Sequence, residues 1–225
     1  TIGVFHREFG KTAKVWDRNK VVIIPDHYIF TADSKSNRNV DILRDFVREQ
    51  DITYFYDVID DANGHWVFDS SRGQLKRQYG SHYAGVCHTA LPQKGHTRPG
   101  EILFGTDSHT CMAGAFNEFA TGIGNTDAGF VMGTGRLLLK VPETMHFRIE
   151  GKLQPGVMAK DIILHVIGAI GFDGATYRAM QFDGPGVTTL TMDDRMTIAN
   201  MAIEAGGKNG IFEFDARTAE HVDAR

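Results

Sequence analysis

Cysteine is scarce in this chain: Cys87 and Cys111 are the only two among 225 residues, and they form no C-x-x-C pair. That scarcity excludes a disulfide-built scaffold and points to a reducing compartment, the cytoplasm or an organelle matrix. Long apolar runs are missing as well. Nowhere do about 18 apolar residues follow one another, which excludes a helical membrane span. Nor does charge of one sign dominate, since 24 Lys and Arg stand against 28 Asp and Glu, a net charge of -4 with histidine neutral. The basic residues are dispersed apart from "RGQLKR" at 72–77, so no nucleic-acid surface is expected. Glycine crowds the stretch 122–135, "GIGNTDAGFVMGTG", yet this run fits neither G-x-G-x-x-G nor the P-loop pattern, and nucleotide binding is not supported. The opening "TIGVFHREFG" has no initiator Met and no signal-like apolar core, and "FDARTAEHVDAR" closes on a polar stretch. A portion of a longer chain is the expectation.

What is present reads as a folded α/β protein. Apolar residues make up 42% and charged residues 23%, and 225 residues suffice for one large domain or two smaller ones. "KVVIIP" (20–25) predicts a buried strand ended by proline. Residues 39–50 place Val40, Leu43, Phe46 and Val47 on one helical face, with Asn39 as the expected cap, and "DITYFYDV" (51–58) predicts the next strand. Residues 60–84 show no steady period and predict loop with one short element. "EILFG" (101–105) predicts a strand that delivers "TDSHT" at its C-terminal end, after which Met112, Ala115, Phe116 and Phe119 follow helical spacing. Alternation in "MHFRIEG" (145–151) predicts a strand, followed by helices at 157–170 and 191–207; Asp193 and Asp194 suit the first turn of the second. A domain boundary is expected near 142–145, giving domains 1–143 and 144–225.

The chemistry-bearing residues gather in three histidine turns: Asp26 and His27; Cys87, His88 and His96; and Asp107, Ser108 and His109. Catalytic groups in open α/β sheets collect at the C-terminal ends of strands, and two of these turns directly follow predicted strands. In an extended backbone Asp107 and His109 point the same way, so the acid orients the imidazole or both hold a metal; the plainer alternative is a loop whose Asp or Ser caps the next helix. His96, His65 and His82 lack strand-end placement and read as ordinary histidines. In the last predicted helix Asn200 and Glu204, four apart, share a face.

These same residues carry a resemblance. "PDHYIFTAD", "GVCHTALPQKGHTRPGEILFGTDSHTCMAGAF", "FATGIGNTDAGFV" and "MTIANMAIEAGGKNG" resemble the aconitase superfamily over nearly the whole chain, least across 60–84. The resemblance implies stacked three-layer α/β/α domains around a [4Fe-4S] cluster, closed by a small swivelling domain that some members carry on a separate small subunit. It implies removal and re-addition of water on a small 2-hydroxy dicarboxylic acid. Carried over by position, His27 with Asp26 protonates the departing hydroxyl, His88 pairs with Asp107 and His109 with Glu204 to hold hydroxyl and water, Ser108 binds substrate, and Asn200 lies close to the cluster. Cys87 and Cys111 do not match the ligand positions of the superfamily. Its cluster cysteines, its carboxylate-gripping arginines and its serine base are expected outside these residues, so no metal ligand is assigned here. Three rival readings stay open: a catalytically inactive scaffold fragment, an aconitase-type hydratase of another 2-hydroxy acid, and a mononuclear metal hydrolase built on His88, Asp107 and His109.

Overall fold

A computed structural model describes residues 1–57 and 85–224, apart from 28, 30 and 31, together with the backbone of two strands at 65–69 and 74–78. In chain order the elements are α1 (Ile2–Phe9), β1 (Val22–Ile23), α2 (Ser34–Gln50), β2 (Tyr54–Phe55), β3 (His65–Asp69), β4 (Gln74–Gln78), α3 (Cys87–Gln93), β5 (Ile102–Gly105) and β6 (Phe119–Gly122). They continue as α4 (Asn125–Thr134), β7 (Glu143–Arg148), α5 (Ala159–Ile170), β8 (Arg178–Asp183), α6 (Met192–Asn200), β9 (Asn209–Phe212) and α7 (Ala216–Asp223). Three 3-10 segments intervene at Ser108–Phe116, Pro185–Thr189 and Met201–Ala205. The described chain forms two compact units, one made of 1–90 with 129–137 and the other of 91–128 with 138–225.

In the first unit, β1 and β2 pair in parallel, with Val22 opposite Tyr54. Parallel neighbours need a crossover, and α2 supplies it. The helix starts at Ser34 and not at the expected residue 39, because Asp33 is the cap: its Oδ2 accepts the Ser36 N–H at 2.8 Å. Asn39 therefore lies inside the helix. Its first turn buries no side chain, so apolar periodicity could not reveal it. Phe46 of α2 meets Phe5 of α1 edge-on at 5.6 Å, and these two rings anchor the core with Val15 and Ile52. Burying each ring contributes roughly 1.5–3 kcal/mol. Within 60–84 the backbone forms an antiparallel pair, β3 with β4, in place of one short element. The remainder of that stretch, including His82, lies outside the described residues.

In the second unit, β5 and β6 pair in parallel, as do β7, β8 and β9 in that order. The expectation that Phe119 continues a helix fails. The segment after "TDSHT" is a 3-10 helix that stops at Asn117, whose φ of 63° is left-handed. Phe119 then donates its N–H to the Glu101 carbonyl and joins β6. The predicted helix 191–207 divides into α6 and a 3-10 segment from Met201. Its start was legible: Thr191 and Asp194 form a reciprocal capping box. The core joins Phe116, Ile163, Met180, Phe182, Ile198 and Phe212.

Candidate functional site

Asp26 and His27 follow β1, directly after the buried Pro25. Burial opposes charge on Asp26, but the Cys87 N–H and His27 outweigh it and hold the carboxyl below its ordinary range. The Cys87 amide donates to Asp26 Oδ2 at 2.6 Å. A carboxylate so held only accepts, so His27 donates from Nδ1 to Oδ1 at 2.7 Å. The acid side chain is 8% exposed and the imidazole 53%. Such a couple stores and releases a proton at Nε2 while the acid steadies the charged ring. His88 lies on α3, one residue beyond Cys87, and is half-buried.

The second histidine turn belongs to the other unit. Gly105 ends β5, and Asp107 caps the 3-10 segment by accepting the His109 N–H at 2.7 Å. The capping alternative for Asp107 is thus realised, and the same Oδ1 sits 3.7 Å from His109 Nδ1. His109 Nε2 lies 3.1 Å from Glu204 Oε1, and Ser108 Oγ lies 3.2 Å from Nδ1. An Nε2–H donated to the carboxylate leaves Nδ1 to accept from the serine hydroxyl. Gly122 makes this turn possible, because a Cβ there would stand 2.6 Å from the Asp107 carbonyl oxygen. Asn200 closes α6 and Glu204 lies in the following 3-10 segment, so the regular i, i+4 face expected for them is interrupted.

Among the described residues no three His, Cys, Asp or Glu side chains converge as a metal site. Cys111 is fully buried, and burial pushes its thiol up to about 12; Cys87 is half-buried and belongs to the first unit. A thiolate frame for a cubane takes three or four cysteines, and these residues do not fit it.

Sequence reading missed two buried ionic groups in the second unit. Arg195, wholly buried, donates from Nη1 and Nη2 to Asp215 at 3.0 and 2.6 Å. Those bonds hold the Asp215 carboxyl down at about 2. Glu118, 1% exposed, is pushed up to about 8 by burial, against an opposing Arg98 N–H. The cap signal D-x-x-T at 215–218 was available for the first group; nothing local marks the second.

The parallel crossovers and strand-end histidine turns define a class, and a family comparison agrees with it. The model of the aconitase family (aconitate hydratase) matches residues 9–225, and the chain belongs to that family. It is 56% identical over 223 residues to the 3-isopropylmalate dehydratase large subunit, chloroplastic, of Arabidopsis thaliana, covering 99% of this chain and 41% of that protein. With the 3-isopropylmalate dehydratase large subunit of Syntrophus aciditrophicus it shares 47% over 224 residues, 100% of this chain and 47% of that protein. A probable 3-isopropylmalate dehydratase large subunit of Methanothermobacter thermautotrophicus is 46% identical over 212 residues, 94% and 45% of the two chains. The chain thus spans about half the length of the curated relatives it matches. No described helix is long and apolar enough to cross a membrane.

Proposed function

We propose that these residues are part of the large subunit of a hydro-lyase that interconverts 2-isopropylmalate and 3-isopropylmalate in leucine biosynthesis. The observation that carries the reading is the Asp26–His27 couple, a shielded acid behind an exposed imidazole, in a chain whose relatives bear that enzyme's name. Hydroxide is a poor leaving group, so dehydration needs an acid on oxygen. Protonated His27 gives its Nε2 proton to the substrate hydroxyl as the C–O bond breaks, water departs, and Asp26 stabilises the ring before and after. In the return direction the neutral ring takes a proton from water. His109, held by Glu204, and His88, assigned to work with Asp107, bind hydroxyl and water. Ser108 hydrogen-bonds substrate.

Asn200 is assigned a place near the [4Fe-4S] cluster of the family, but the cluster's thiolates are assigned outside these residues, and no step is derived through it. The base that removes the carbon-bound proton and the small subunit with the swivelling domain are likewise assigned outside. The 225 residues alone are therefore inactive, and the complete enzyme works in the cytoplasm or an organelle matrix. The proposed domains are 1–143 and 144–225.

The test is turnover of 2-isopropylmalate by the complete large subunit with its small subunit. His27→Ala lowers kcat on the order of 10²–10⁴-fold; wild-type turnover in that variant overturns the acid role. Anaerobic iron and sulfide reconstitution of the 225 residues alone is expected to leave no stoichiometric cluster. A stable cluster there overturns the ligand assignment.

A further inference from the structure

The Ser108–Phe116 segment carries His109, and one of its other side chains reaches the stretch that carries Glu204. Cys111 lies two residues beyond His109, is fully buried, and faces the point where α6 gives way to the 3-10 segment Met201–Ala205. Its S–H is directed at the Asn200 carbonyl oxygen at 3.4 Å. The thiol therefore holds the main chain at the residue where the pitch changes, four positions before Glu204.

That change decides where Glu204 points. An α-helix turns about 100° per residue and a 3-10 helix about 120°, so over four residues the two paths diverge by roughly 80°. A regular helix through residue 204 would set Glu204 on the face of Asn200. The broken one brings its carboxylate to 3.1 Å from His109 Nε2. We infer that Cys111 is a positioning residue whose thiol, bonded to the Asn200 carbonyl, fixes the break that aims Glu204 at His109. The inference rests on the proposed role of the His109–Glu204 pair for its effect on catalysis. A thiol suits the task because it can donate to a carbonyl and is small enough to be enclosed.

Three variants of the complete enzyme with its small subunit test this: Cys111→Val, which fills the site without a donor, Cys111→Ser, which keeps the donor, and Glu204→Gln. Cys111→Val is expected to lower kcat about 10-fold with KM within about twofold, and serine to restore kcat to within about threefold of wild type. In the Glu204→Gln background, Cys111→Val is expected to add nothing. Should the valine not fold, Cys111→Ala is read in the same way. Wild-type kcat in the valine variant, or an equal further loss in the Glu204→Gln background, overturns the inference while leaving the hydro-lyase reading intact. If Glu204→Gln itself turns over at the wild-type rate, the catalytic role of the pair fails, and a crystal structure of the valine variant decides the positioning. Glu204 turned away from His109 upholds it, and a retained 3.1 Å contact overturns it.

Discussion

His27 and His109 each lean on a carboxylate, but they reach it by opposite routes. His27 uses its own neighbour in sequence, and the distant partner is the Cys87 amide that grips Asp26 from behind. His109 uses a carboxylate 95 positions away, which is itself 53% exposed and approached through a broken helix. The first couple is a local pair stiffened by tertiary structure; the second exists only through tertiary structure. A shielded, doubly held carboxylate is fixed in charge and direction. An exposed, singly held one depends on the segment that presents it.

The largest effect is expected at Asp26. Asp26→Asn can still accept the Cys87 N–H but no longer offers a charge to the His27 ring. In the complete enzyme kcat is expected to fall on the order of 10²–10⁴-fold, and a loss below tenfold would show that the ring needs only orientation. The next effect is on stability. Asp215→Ala leaves the wholly buried Arg195 charged without its partner, beside the Val187 carbonyl, the Thr218 hydroxyl and the Phe212 ring, at a cost of about 3–5 kcal/mol. Denaturant unfolding read by hydrogen exchange should show the loss in β9 and α7 and not in α2. In the wild type this pair's contribution is present above the ordinary carboxylate range and fades as pH falls toward about 2.

Glu204→Gln sharpens the contrast, since an exposed single contact should matter less than Asp26. A fall in kcat on the order of 10–100-fold is expected, and a loss equal to that of Asp26→Asn would erase the distinction. The smallest effect concerns Glu118, whose Oε2 is buried without a hydrogen-bond partner among the described residues. Its folded-state carboxyl is raised from 4.5 to about 8, so the folded state holds a proton that the unfolded chain releases. Stability of the second unit should therefore decline as pH rises through that window. Glu118→Gln should flatten the decline in a pH series of unfolding midpoints, and an unchanged slope would mean that Glu118 is not its source.

Residue spacing alone marked out several local features of this protein. The adjacency of Asp26 and His27, the strand 101–105 that delivers Asp107 to His109, the capping acids of α6 and the α/β alternation all depend on interactions within a turn or two of backbone. Tertiary structure decided the rest. Asp33 displaced Asn39 as a cap because a solvated first turn carries no apolar signature. Phe119 left its helical spacing because β5 offered a strand partner, and β9 and α7 took their places against a core assembled from distant segments. The pairing of His109 with Glu204 is of this second kind. Local hydrogen bonding and periodicity settle which residues form a turn, but the partner of an imidazole across 95 positions depends on which buried surfaces meet and where a helix changes pitch.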